Sequence, residues 1–297
     1  MKYGPSIVAA LGAAISFAFA AVFQQESTQS VSEDKSLTVG LLAELLRRRQ
    51  WLLGGACLLL GFGLQAVALA YGPVALVQPI VVTELAFAIP LGIIRRHRRA
   101  GRQEWAGIAC VMVGVSIFEL AASPAGGIQE PSGADWLASL VPVGAVAGVA
   151  VALGAARKGP KRAMFLGAAA GLSFGVLSVL TKAVTHLLSS DVARAFVTWQ
   201  VYATIGVGIA ALVVSQSAYQ AGPLAYSMPF VGVLEPLVAV IIADTVLGEQ
   251  VRLSPGLFVL EILAAAIACI GIVFLTTSRT VLSIYEENAG MERSLAV

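Results

Sequence analysis

The sequence predicts an all-α polytopic membrane protein with about nine transmembrane helices, or ten if a short apolar stretch is counted as a half-helix, and three observations favour this fold class. Hydrophobic residues make up 58% of the 297 positions, while only 12% are charged. The apolar residues form runs of about 20 positions, the length that spans the hydrocarbon core of a bilayer. The runs lack a period of two, so helices rather than barrel strands must satisfy their backbone hydrogen bonds in lipid.

Nine runs are long enough to cross a bilayer, and charged, glycine-rich or proline-rich segments separate them. A further apolar stretch at 37–46 is too short to span; as a half-helix it would make the count ten. The nine predicted spans are residues 6–24, 50–71, 73–94, 104–122, 135–156, 163–187, 196–220, 223–247 and 255–278.

Lysine and arginine residues are distributed unevenly between the predicted loops, and this distribution sets the orientation. The clusters within 47–49, 95–102 and 157–162 all fall on one side of a nine-helix chain. Because basic loops face the cytoplasm, we expect an inner or plasma membrane protein with its N-terminus outside and its C-terminus inside. The polar segment from Thr280 is expected to be a short, mobile cytoplasmic tail.

Two parts of the sequence resemble each other, which predicts two inverted repeats. The shift between the copies is five helices, an odd number, so the second copy must enter the membrane upside down, as in secondary transporters with a midplane solute site. The matching pairs are 16–19 with 173–176, 71–73 with 221–223, and 114–115 with 271–272. The chain then divides into a first repeat (1–122), a linking helix with its loops (123–162), a second repeat (163–278) and the tail (279–297).

Two acidic residues lie near the middle of predicted spans, where a charged side chain costs about 2.5–3.5 kcal/mol on insertion scales. Glu84 belongs to helix three and Glu235 to helix eight, and both helices are rich in proline. Because proline frees a backbone carbonyl on the preceding turn, we predict that both carboxylates face a shared central cavity that binds a proton or a cation. The alternative is that each glutamate is protonated or paired and only ties helices together.

Four other polar residues are candidate substrate or coupling-ion ligands. Gln65, Gln78 and Gln216 carry amides that could coordinate a cation or read a polar solute, or could equally link helices. Lys182 could face a substrate anion or pair with Glu84, or extend to the outer interface. A further acid, Glu119, lies close to an outer helix end, where we expect it to be solvated.

Several classes of function lack their sequence signals. No nucleophile elbow, phosphate-binding loop or metal-hydrolase motif occurs, so we predict neither an enzyme nor a bound cofactor. No basic stripe with interleaved aromatic residues indicates nucleic-acid binding. The expected partners are the lipid bilayer and a small-molecule or ion substrate, and the sequence leaves a homodimer open.

The stretch 66–79 and its echo at 217–229 resemble the helix pair of the drug/metabolite transporter superfamily, and Gly248-Glu249 resembles its Gly-Glu signature. The first half has Arg95-Arg96 in place of that pair. The nine-helix count and the Gln216-x-x-Tyr219 spacing are more similar to the NIPA-like magnesium transporter branch than to the ten-helix EamA type.

The resemblance implies a secondary carrier of a metabolite or drug-like solute, coupled to protons or cations. Its NIPA-like side implies instead a magnesium or divalent-cation transporter, with Glu84 and Glu235 as metal ligands. A non-transporting scaffold or accessory subunit is the third interpretation, against which the short loops and the two buried acids argue.

Overall fold

The computed structural model describes residues 3–71, 74–122, 132–190, 197–247 and 255–286. Throughout these ranges the chain forms α-helices joined by short turns, and they contain no β-strand. The helices are α1 (Gly4–Gln29), α2 (Val39–Leu45), α3 (Arg49–Tyr71), α4 (Val74–Val81), α5 (Glu84–Ile94), α6 (Arg102–Ala122), α7 (Gly133–Ala155), α8 (Gly159–Ser190), α9 (Trp199–Ala221), α10 (Met228–Leu247) and α11 (Pro255–Thr276).

Eight helices in the described ranges are long and apolar enough to cross a membrane, which confirms a polytopic helical membrane protein. They are α1, α3, α6, α7, α8, α9, α10 with the short turn before it, and α11. The predicted span 73–94 is instead divided into α4 and α5, and the apolar stretch 37–46 forms the short helix α2.

The break between α4 and α5 has a local cause. The Thr83 hydroxyl donates to the Ile80 carbonyl at 2.6 Å, and the Thr83 N–H bonds the same oxygen at 3.0 Å. The N–H groups of Leu85 and Ala86 likewise bond carbonyls three residues back, which tightens the chain and interrupts the α-helix. Glu84 thereby becomes the first residue of α5, where the helix dipole favours a negative charge.

The helices pack in two similar groups. In one group α1 packs against α3, α4 and α5, and in the other α8 packs against α9, α10 and α7. The helices α6 and α11 pair with each other, and a Cβ at Gly114 would lie only 2.6 Å from the Ala264 carbonyl oxygen. Small residues at such positions let membrane helices approach closely.

One end of the bundle collects the basic clusters 47–49, 95–99 and 157–162, and we call it the arginine-rich end. The cluster 157–162 precedes Ala163, which shares a core cluster with Ile93 near the end of α5. The last turn of α1 lies there, since Glu26 forms an ion pair with Arg95 at the end of α5. The start of α3 lies at the same end because Gln50 also donates to Glu26.

The segment 279–286 is helical and packs into the core at the arginine-rich end, so the prediction of a mobile tail from Thr280 is wrong for these residues. Val281 is fully buried and Ile284 is 4% exposed. The reason is local: the Ser278 hydroxyl oxygen accepts the Val281 N–H at 3.2 Å, as an N-cap does, and starts a helix with one apolar face.

Candidate functional site

The structure brings Glu84 and Glu235 together inside the bundle. The two carboxyls lie within electrostatic range of each other, and both side chains are partly buried. Their helices meet at Gly232, one turn before Glu235, where a Cβ would lie 3.8 Å from Leu85 Cδ1. The two carboxyls therefore lie where the broken helix of the first half approaches α10 of the second half.

The surroundings of Glu235 supply further oxygen atoms. The Ser178 hydroxyl of α8 makes a long hydrogen bond of 3.4 Å to Glu235 Oε1. The next residue, Pro236, has no N–H and cannot donate the helical bond to the carbonyl oxygen of Gly232. Unlike α4 and α5, however, α10 continues through its proline from Met228 to Leu247, so only one of the two proline-rich helices is interrupted.

Two side chains that the sequence reasoning left out of the site lie beside these carboxyls. Tyr219 of α9 interacts electrostatically with both Glu84 and Glu235 and packs against the core cluster that contains Leu85. Only its spacing from Gln216 drew attention to it in the sequence.

Glu119 is the second such residue. It lies within electrostatic range of Glu235, and its Oε2 atom is buried. The expectation that Glu119 is solvated at a helix end is wrong, because α6 continues to Ala122 and packs against α4 and α10. Glu119 is an acidic residue within an apolar run, and this feature of the sequence could have identified it as a candidate site residue.

The four remaining candidates lie on four different helices. Lys182 is exposed on α8, one helical turn beyond Ser178 and on the same helix face. Gln65 is partly buried in α3. Gln78 lies in α4, but its side chain falls outside the described residues, as does the segment Gly248-Glu249.

Gln216 lies at the arginine-rich end, where both ends of its amide are bonded within the protein. Its Oε1 atom accepts a hydrogen bond from Trp51 Nε1 at 3.0 Å, and its Nε2 atom donates to Gln24 Oε1 at 2.8 Å. Nearby, Gln25 Nε2 donates to the Gly222 carbonyl at 2.7 Å. These buried bonds tie α1 and α3 to α9.

A narrow cavity of about 20 Å³ lies at the same end, room for roughly one water molecule. Gln25, Gln29 and Arg96 line it together with apolar residues of α5 and of the helical segment 279–286. In the part of the chain that the structure describes, no three or more histidine, cysteine, aspartate or glutamate side chains form a group that could hold a metal ion.

Comparison with known proteins extends over most of the bundle. An uncharacterised protein of Corynebacterium glutamicum is 28% identical over 272 residues, which cover 89% of this chain and 93% of the relative. No protein-family model matches the chain. No solved structure matches it either.

Proposed function

We propose that the protein is a secondary transporter whose cycle depends on a proton or cation bound between Glu84 and Glu235. The observation that carries this proposal is the meeting of two carboxyls from different halves of the chain at the start of a half-helix inside the bundle. Acidic residues within membrane spans are rare and mark ion or substrate pathways. Interrupted helices at the midplane form the solute sites of secondary transporters.

Two contacts support nine crossings of the membrane. The Ser6 hydroxyl donates to the Ala68 carbonyl at 2.9 Å, so α3 ends beside the start of α1. The ion pair between Arg95 and Glu26 then sets the end of α5 beside the end of α1. On this basis α4 and α5 together return across the bundle, and the arginine-rich end faces the cytoplasm with the N-terminus outside.

The packing pattern supports the inverted repeat. The contacts of α1 with α3 and with α4 and α5 correspond to those of α8 with α9 and α10. If the copies are inverted, α6 and α11 are equivalent helices, and their packing against each other is what elements next to a two-fold axis would show. We retain the likeness to the drug/metabolite transporter superfamily as a hypothesis that agrees with this arrangement.

The chemistry of the site favours a positively charged solute or coupling ion. The Glu84 and Glu235 carboxyls act on each other, a third acid, Glu119, lies within electrostatic range of Glu235, and the Ser178 hydroxyl bonds Glu235. Neighbouring acids attract a proton, a metal ion or a cationic metabolite. Mg²⁺ prefers oxygen ligands and keeps several waters, so the two carboxylates and the Gly232 carbonyl make a divalent cation the second candidate.

The test is uptake into proteoliposomes over a panel of inorganic cations, including Mg²⁺, and of cationic and neutral metabolites, with and without a pH gradient. Glu84→Gln and Glu235→Gln keep the shape of the side chains and remove their charge, so at least one should abolish uptake. Asp244→Asn, which alters an exposed acid on α10, is the matched control and should leave uptake unchanged.

Each variant must also insert and keep the melting temperature of the parent in detergent. Normal uptake in both single variants and in the double variant would overturn the role of the carboxyl pair. Failure of the parent protein to move any member of the panel would favour the non-transporting alternative.

A further inference from the structure

We propose that Gln216 is a latch residue that holds the arginine-rich end closed, and that Gln65 is its counterpart at the opposite end. This inference rests on the proposed transport function and on the inverted repeat. It gives the two glutamines a role in alternating access rather than in solute binding.

The latch consists of Gln216, Trp51 and Gln24, which come from three helices. Gln216 is fully buried, and the exposed fractions of Gln24 and Trp51 are 6% and 8%. Because the Gln216 amide accepts from Trp51 and donates to Gln24, its oxygen and its nitrogen are both engaged by protein groups. Opening this end would leave the buried Gln216 amide without its hydrogen bonds, which costs free energy unless other groups replace them. The two hydrogen bonds therefore stabilise the closed conformation.

A strap formed by residues 31–45 reinforces this closure. The Leu37 N–H donates to the Ser217 hydroxyl oxygen at 2.9 Å, and Leu37 has a φ of 61°, a region that a leucine rarely adopts. The second part of the strap is α2, whose buried leucines share a cluster with Val213 of α9. The first half of the chain is thus fastened across the end of α9.

Among the described residues, the opposite end lacks the equivalent packing. If the two halves are inverted copies, the contact of α1 with α9 corresponds to a contact of α8 with α3. In the described residues α1 packs against α9, whereas α8 and α3 barely touch. This difference indicates a conformation that is closed at the arginine-rich end and open at the other.

The repeat also identifies the counterpart of the latch. The 150-residue offset between 71–73 and 221–223 sets Gln65 within one residue of Gln216 and Trp51 within one residue of Tyr202, and the 157-residue offset between 16 and 173 sets Gln24 on Thr181. All three counterparts can form hydrogen bonds. Here Tyr202 is 64% exposed and Thr181 is exposed, as expected while that end is open.

A single reporter thiol measures opening of the arginine-rich end without any transported solute. In a background in which Cys57, Cys110 and Cys269 are alanine, Ser217→Cys puts the only thiol beneath the strap. A charged, water-soluble thiol reagent then reacts at a rate proportional to the population in which that end is open.

Gln216→Leu should raise this rate by about fivefold or more, because it removes two buried hydrogen bonds. Trp51→Phe removes only the hydrogen bond from Trp51 to Gln216, and should raise the labelling rate by a smaller factor. Gln200→Leu makes the same substitution at the other end of α9 and should leave the rate unchanged. Melting temperatures verify that the variants remain folded, and a parental rate in both Gln216→Leu and Trp51→Phe would overturn the latch.

Gln65→Leu provides the decisive comparison, because its expected effect has the opposite sign. Gln65→Leu should weaken the conformation that is closed at the end opposite to the arginine-rich end. The population of the conformation that is closed at the arginine-rich end then rises, so the Ser217→Cys thiol should react more slowly than in the parent. A faster reaction or an unchanged rate would overturn the role of Gln65. If the labelling rates change as expected but no solute is transported, the proposed transport function is wrong and the latch is supported. If solute is transported but the labelling rates do not change, the latch is wrong and the transport function is supported.

Discussion

Tyr219 is the residue whose importance depends most on the tertiary structure. Its hydroxyl belongs to α9, yet it interacts with carboxyls on α5 and α10. Glu84 and Glu235 could be selected from the sequence because an acid in a long apolar run demands an explanation. Apart from its spacing from Gln216, nothing in the run around Tyr219 distinguishes it from a packing aromatic. The two carboxyls that it meets in space lie on other helices, and Glu84 is more than a hundred residues away in the sequence.

Tyr219→Phe should weaken the apparent affinity for the transported or coupling cation by about fivefold, since it removes the hydroxyl that lies within electrostatic range of Glu84 and Glu235 while the ring still packs. The maximal rate and the melting temperature should change little. Concentration-dependent uptake separates the two parameters. The control is Tyr71→Phe, which changes a tyrosine that is 61% exposed on α3. An equal loss of affinity in both variants would contradict a specific role for Tyr219.

Glu44 in the strap gives a prediction that depends on pH. Hydrogen bonds from Lys35 and then from Arg48 hold the pKa of Glu44 below its ordinary value of 4.5. A lowered pKa stabilises the folded strap above pH 4.5, and that contribution is lost as the pH falls through the lowered value. Backbone amides in 35–48 should exchange hydrogen more slowly in the parent than in Glu44→Gln at neutral pH, and the difference should vanish in acid. A difference that does not shrink as the pH is lowered below 4.5 would contradict this explanation.

Helical periodicity and hydropathy predicted most elements within a few residues, but not the break between α4 and α5. Hydropathy is continuous across residues 74–94, because the interruption comes from the Thr83 hydroxyl and three-residue backbone bonds rather than from polar composition. The helical segment 279–286 was missed for the opposite reason. Its polar composition concealed a single buried face that Ser278 caps.

The closeness of α8 and α10 at the level of Glu235 depends on Gly175. A Cβ there would lie 2.7 Å from the Glu235 carbonyl oxygen and 2.7 Å from Val238 Cβ. Gly175→Ala should therefore push the helices apart, destabilise the protein by about 1–3 kcal/mol and reduce uptake. Thermal unfolding in detergent measures the first effect.

The matched control is Gly148→Ala in α7, where an added Cβ meets nothing within 4 Å. Because alanine is the better helix former by about 1 kcal/mol, this variant should be neutral or stabilised. Equal melting temperatures for the two variants would show that the contact between α8 and α10 tolerates a methyl group.

At the scale of the whole molecule, the symmetry depends on whether α4 and α5 count as one crossing. If they do, five crossings separate the copies and the second copy is inverted. If they form a re-entrant hairpin that does not cross, the shift is four and the copies are parallel. The sequence alone read 73–94 as one span, so it could not pose this alternative; the break at Val82 and Thr83 raises it.

Reporter fusions distinguish these two arrangements, because they differ in the side on which the cluster 95–99 lies. With nine crossings, a fusion after Arg99 shares the cytoplasmic side with one after Arg162, while a fusion at Ser132 is external. The ion pair of Arg95 with Glu26 and the bond from Gln50 to Glu26 favour this outcome, since both basic segments contact the same end of α1. A re-entrant α4–α5 would put Arg99 on the side opposite to Arg48 and would leave five basic residues of 95–102 outside, against the bias of basic loops. An external reading after Arg99, with a cytoplasmic reading after Arg48, would therefore refute both the nine-crossing topology and the inverted repeat on which the latch depends.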